Sequence, residues 1–173
     1  MKSLARFISC FLILGNNLMA QSKGEVAVAA ACSTFNKAII DGDKIDLSNC
    51  NRQIPALHST EKRMKTEVMA ERLMDINPLL TLHINTEHIE AERIREILVN
   101  GSFDFVVDCI DTLSPKVLLM KNCVELGIPI VSALGAGGKT DPTRVRIAEI
   151  EETHECNLAR YVRKRLHTLG IRK

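Results

Sequence analysis

Hydrophobic positions along this chain repeat with two different periods. Short apolar, β-branched-rich runs at 11–14, 38–40, 80–84, 103–107, 128–131 and 145–148 have the length of buried strands. Other apolar residues recur at helical spacing. Met69, Leu73 and Ile76 fall at i, i+4 and i+7, Val117, Met120 and Val124 at i, i+3 and i+7, and Leu158, Val162, Leu166 and Leu169 mark a third face. The first of these helices is predicted to stop at Asn77-Pro78, because the residue before proline is pushed out of the helical region. The second is entered through Ser114-Pro115 and closed by Gly127. From residue 37 onward, strands alternating with amphipathic helices predict an α/β fold built of βαβ units around a mostly parallel sheet. No internal repeat, low-complexity stretch or interdomain linker interrupts the 173 residues, a length that suits one domain with a real core.

Composition changes this picture little. Apolar residues make up 46% and charged residues 25%, which excludes a disordered chain. The formal charge is only +2, but Arg160, Arg163, Lys164, Arg165, Arg172 and Lys173 follow one another with no acidic residue after Glu155. Such a cluster either holds a nucleic-acid backbone without reading its sequence or solvates a helix face and complements its dipole. Tyr161 is its one stacking platform. Cys10, Cys32, Cys50, Cys109, Cys123 and Cys156 form no C-x-x-C pair, so a zinc site is unsupported and buried reduced thiols are expected. At the N-terminus Lys2 and Arg6 precede the apolar run 7–14, and Leu18-Met19-Ala20 precede Gln21, an imitation of a secretory signal. The rival reading makes 11–14 a first β-strand that ends at Gly15.

Candidate chemistry begins at Asp41-Gly42-Asp43, directly after the run 38–40. An acidic residue at the carboxyl end of a second Rossmann-type strand accepts hydrogen bonds from ribose hydroxyls, although aspartate and glycine are also ordinary loop residues. Ser48-Asn49-Cys50-Asn51-Arg52-Gln53 follows, and Lys65 stands thirteen residues beyond Arg52. A planar guanidinium and a mobile ammonium together suit a polyphosphate tail. Further on, Asp108 and Asp111 close the run 103–107, where open α/β sheets gather ligands. A carboxylate there either holds Mg²⁺ against substrate phosphates or caps the following helix.

Asp41, Ser48, Asn49, Arg52, Gln53 and Lys65 together resemble the ThiF/MoeB family of ubiquitin-activating-like adenylating enzymes. The segments 104–117, 130–143 and 156–160 narrow the resemblance to its tRNA threonylcarbamoyladenosine dehydratase branch, covering the chain from about residue 37 onward. The resemblance implies a Rossmann-like fold, ATP and Mg²⁺ as cofactors, and a tRNA carrying threonylcarbamoyladenosine as partner. The implied reaction adenylates the threonyl carboxylate and then closes a ring with loss of water. It also implies catalytic roles for Arg52 and Lys65 on phosphate and for Asp111 on the metal, with Asp41, Asp43, Ser48, Asn49 and Gln53 binding the nucleotide. A cytoplasmic homodimer without membrane attachment completes the expectation.

The chain departs from the family where a G-x-G-G-x-G loop should follow the first strand: Gly15-Asn16-Asn17-Leu18-Met19-Ala20-Gln21 stands there, with a helix-like stretch at 26–32. Gly15 lies 26 residues before Asp41, near the family spacing, which favours an eroded first strand over a signal segment. The expected organisation is therefore an eroded strand, loop and helix over 1–36 and an adenylating core over 37–173, shortened at its C-terminus. Two functional classes follow: an active adenylating enzyme, or an inactive or fragmentary relative that keeps the fold as a nucleotide- or tRNA-binding module. A plain dinucleotide-binding protein is a third, against which the Asn49, Arg52 and Lys65 pattern argues.

Overall fold

The computed structural model describes residues 10–14 and 36–172. Five parallel strands form one sheet in the order β3-β2-β1-β4-β5: β1 (Cys10–Leu14), β2 (Asn36–Ile40), β3 (Thr81–Asn85), β4 (Phe105–Asp108) and β5 (Ile130–Ser132). The run 11–14 thus lies in the central strand, paired on one side with β2 and on the other with β4. The loop 15–21 and the helix-like 26–32 fall outside the described residues.

Four helices are found among the described residues: α1 (Lys65–Ile76), α2 (Ile94–Gly101), α3 (Leu113–Leu126) and α4 (Asn157–Thr168). Alternation along β2 decides which of them covers which face. Ala38 and Ile40 join Val106 of β4 in a core with Ile94 and Leu98 of α2 and Leu119 and Cys123 of α3. Ile39 points the other way and packs with Leu73 of α1 and with Leu80. A sheet buried on both faces by crossover helices needs a continuous apolar run, which Ala38, Ile39 and Ile40 supply in β2. On the outside of α3, Val117 and Met120 pack against Val162 and Leu166 of α4.

Three sequence expectations change. The strands predicted at 80–84, 103–107 and 128–131 are displaced by one or two residues, so that polar Asn85, Asp108 and Ser132 end β3, β4 and β5. The run 145–148 is not a strand: it has no ladder partner among the described residues, and Val145 and Ile147 stand 66% and 91% exposed. Helix α2 is an addition to the three predicted helices. It is only eight residues long and begins without a side-chain cap, although Ile94, Ile97 and Leu98 follow helical spacing. The helix stops at Asn77 and Gly127 are found as expected. Gly127 adopts φ 69°, and its amide donates to the Cys123 and Val124 carbonyls. Helix α3 itself starts at Leu113, with Thr112 in the capping position, so Pro115 falls inside the first turn, where no amide is missed.

Candidate functional site

The strand order reverses direction around β1, and such a sheet opens a crevice outside its carboxyl ends at that point. Here a cleft is lined by Asp41 and Gly42 from the end of β2, His88 and Ile89 from the loop after β3, and Ile110 and Asp111 after β4. Leu14 of β1 is in register with Ile40 and with Asp108, which levels these strand ends.

Asp41 is half-buried, and loss of water raises its carboxyl above the ordinary carboxylate range. The Asp43 amide, which donates to Asp41 Oδ1 at 2.8 Å, and the nearby Lys65 charge oppose that rise without cancelling it. Lys65 opens α1, its ammonium buried and held 2.9 Å from Asp43 Oδ2, while its amide donates to the Asp43 carbonyl at 3.0 Å. His88 Nε2 sits 3.8 Å from the other Asp43 oxygen. The imidazole comes so close to the β2 turn that a Cβ at residue 42 would lie 2.5 Å from the His88 amide nitrogen and 2.6 Å from its Cγ. Gly42 is therefore required by a close approach. Nothing in the sequence motifs singles out His88; its position just beyond the carboxyl end of β3 is the signal that could have found it.

The two aspartates after the run 103–107 behave differently. Asp108 is fully buried: its carboxylate lies 2.7 Å from the equally buried Lys116 ammonium, accepts from Ser132 Oγ, and takes the Ile110 amide at 2.9 Å. Lys116 also donates to the Ile110 carbonyl at 2.7 Å. This network pins the turn that presents Asp111. Asp111 is exposed on the cleft, and its carboxylate has no hydrogen-bond or ion-pair partner among the described residues. Neither aspartate caps α3, whose first turn has no side-chain cap.

The remaining candidates sit on an excursion whose two ends are tied together by an isolated antiparallel bridge, Lys44 to Met64, and by the Ile45 amide donating to Arg63 O at 2.8 Å. Ser48, Asn49, Arg52 and Gln53 do not line the cleft of Asp41 and Asp111. Asn49 Oδ1 accepts the Asp46 amide at 3.3 Å while the Ser48 amide donates to Asp46 Oδ1, a reciprocal cap on the 3₁₀ turn Leu47–Asn49. The exposed Arg52 guanidinium donates to Ser48 O and Asn51 Oδ1, both at 3.0 Å, and no carboxylate pairs with it among the described residues. Gln53 is buried. Among the cysteines, Cys109 and Cys123 are buried as expected, and burial together with Asp108 pushes the Cys123 thiol up to about 12; Cys50 is exposed.

The model of the ThiF family matches residues 28–170. The tRNA threonylcarbamoyladenosine dehydratase of Bacillus subtilis is 40% identical over 135 residues, covering 78% of this chain and 53% of that protein. The solved Escherichia coli tRNA N6-threonylcarbamoyladenosine dehydratase, TcdA, in complex with AMP superimposes with a TM-score of 0.81 at 30% identity, over 95% of this chain and 65% of that one. Its complex with ATP gives 0.80 at 31% identity, over 92% and 65%. The chain thus spans about half the length of the curated bacterial relatives it matches. With that match over most of its length, and with a parallel sheet whose carboxyl edge carries Asp41 and Asp111, the chain belongs to the ThiF family.

Proposed function

We propose that this chain binds ATP across the carboxyl edge of its sheet and activates a carboxylate as an acyl adenylate, in the manner of a tRNA threonylcarbamoyladenosine dehydratase. The observation that carries the reading is that one cleft joins a ribose-competent carboxylate, Asp41, to an unpartnered carboxylate, Asp111, while the Lys65 ammonium is anchored beside Asp43 next to Asp41. ATP is the nucleotide found in the related E. coli protein.

In the proposed reaction, an oxygen of the threonyl carboxylate attacks the α-phosphorus and pyrophosphate leaves. A nucleophile within the same substituent then attacks the acyl carbon, AMP departs, and the ring closes with net loss of water from the substrate. Negative charge spreads over the phosphates in the first step. Lys65, already held in place, and Arg52, free of any acidic partner among the described residues, stabilise that charge by position and field. Asp41 accepts from the ribose hydroxyls, and Asp43 orients Lys65. Asn49, Ser48 and Gln53 shape the turn that carries Arg52, and Asn49 is a hydrogen-bonding candidate for the nucleotide.

Asp111 fits Mg²⁺, which takes one or two carboxylates and fills its remaining positions with water and substrate phosphates. Bound there, the ion would neutralise part of the polyphosphate charge. A two-fold homodimer and a cytoplasmic site of action are carried over with this reading; among the described residues no helix is long and apolar enough to cross a membrane.

A second reading, a relative that retains the fold as a nucleotide- or tRNA-binding module, is favoured by one observation: only Gly15 remains where the family's glycine loop belongs. Each backbone hydrogen bond to a charged phosphate contributes about 1.5–3 kcal/mol, so losing several weakens ATP binding by orders of magnitude. Pyrophosphate exchange with tRNA bearing threonylcarbamoyladenosine decides between the two. Slow exchange that rises when glycines replace Asn17, Leu18 and Ala20 supports an enzyme with an impaired loop. Absence of exchange both before and after glycine restoration supports the binding module.

A further inference from the structure

We infer that the solvent face of α4 is an RNA backbone-binding surface, with Arg160, Lys164 and Arg165 as its phosphate contacts; the choice of tRNA as its partner rests on the reading above. Helix α4 divides cleanly. Ala159, Val162 and Leu166 are buried, the latter two against α3, whereas Arg160, Tyr161, Lys164 and Arg165 face solvent.

Two other basic side chains of the helix have internal duties. Arg163 donates to the Thr153 carbonyl at 2.6 Å, and His167 meets Glu151 at 2.5 Å. Arg160, Lys164 and Arg165 have no carboxylate partner among the described residues. Complementing the helix dipole accounts for Arg165 in the last turn, but not for Arg160, which lies near the positive end of a helix whose first turn holds no acidic residue. A cation left there without an acidic partner is electrostatically costly to the helix. Its guanidinium lies 5.1 Å from the centre of the half-exposed Tyr161 ring, an arrangement that offers charge and a stacking face together.

The location fits the same reading. Cys156, which caps α4, comes so close to Gly135 that a Cβ there would lie 3.2 Å from its Sγ, and Lys139 donates to the Glu155 carbonyl at 2.9 Å. Gly135 follows β5 where that strand leaves the carboxyl edge, the edge that carries the Asp41 and Asp111 cleft. The basic face therefore starts beside the loop that follows the carboxyl end of β5 and extends for about 8 Å, at 1.5 Å per residue from Arg160 to Arg165. A membrane is the poorer partner. Surface helices dock on lipid through an apolar face, and that of α4 is already packed on α3.

The test is fluorescence anisotropy of a labelled unmodified tRNA transcript, titrated with the full chain at several salt concentrations. Charge reversal in R160E/K164E/R165E is expected to weaken binding at least tenfold and to flatten the slope of log K against log salt by roughly 2–3, as loss of about three phosphate contacts requires. The neutral variant R160Q/K164Q/R165Q should change both in the same direction by less. Circular dichroism and ATP binding should stay as in the parent chain. Unchanged tRNA affinity and slope in both variants would overturn the assignment. So would binding of anionic phosphatidylserine vesicles that is lost in the variants while tRNA binding is kept. If pyrophosphate exchange is absent but tRNA binding weakens as predicted, the surface stands and the adenylation reading falls. Exchange in the parent chain, with tRNA binding unaltered by the substitutions, removes the surface and leaves the adenylation reading standing.

Discussion

Lys116 and Asp108 show how a buried ion pair can serve a neighbouring site without touching ligand. Both are fully buried, so the desolvation of two charges offsets most of their attraction. What the pair secures is the turn through Ile110 that presents Asp111. Lys116→Met leaves the Asp108 charge uncompensated and should cost about 3–5 kcal/mol in denaturant unfolding. Asp41 predicts the opposite sign. Because burial raises its carboxyl in the folded chain, the folded state holds that proton more tightly than the unfolded state does. Stability from this group is fully present below the ordinary carboxylate range and is lost as pH rises through that range to the raised value. Asp41→Asn should therefore raise Tm at neutral pH, with the gain vanishing on the acid side, while ATP binding weakens; melting curves across pH and a nucleotide titration check both. Gly42→Ala must displace the His88 backbone and should destabilise by about 1–3 kcal/mol, with parallel loss of nucleotide affinity. At this scale the sequence displays the charged residues through their spacing but not the partners of Lys116 or the presence of His88, since both depend on elements brought together only by the sheet.

At the scale of elements, hydrophobic periodicity locates the strands but not their ends. Asn85, Asp108 and Ser132 pair in the ladder although they are polar: Asn85 and Ser132 are only half-buried at the carboxyl edge, and the buried Asp108 is satisfied by Lys116, Ser132 and the Ile110 amide. The opposite holds at 145–148: β-branched composition satisfies the pattern, yet a strand exists only with a neighbour to pair with. Helix α2 is hard to read because eight residues give barely two turns of period, though its Leu98 is among the most buried residues of the core. Leu98→Ala should accordingly cost about 2–5 kcal/mol in chemical denaturation, whereas Ile147→Ala, at an exposed position, should stay within about 0.5 kcal/mol.

On the scale of the whole molecule, the order β3-β2-β1-β4-β5 brings the residues after β2, β3 and β4 around the end of β1, so that Asp41, His88 and Asp111 share one cleft while Ser48, Asn49, Arg52 and Gln53 stay outside its lining. Alternating periods predict the class of fold, but strand order is a long-range property that no local pattern carries. The chain also spans about half the length of its curated bacterial relatives, and nucleotide binding is the property that its own cleft can be tested for directly. Isothermal titration of the full chain with ATP, with and without Mg²⁺, tests the central claim most directly. The account predicts weak binding that Mg²⁺ strengthens, loss of binding in Lys65→Ala, and loss of only the Mg²⁺-dependent gain in Asp111→Ala. ATP affinity left untouched by both substitutions would contradict it.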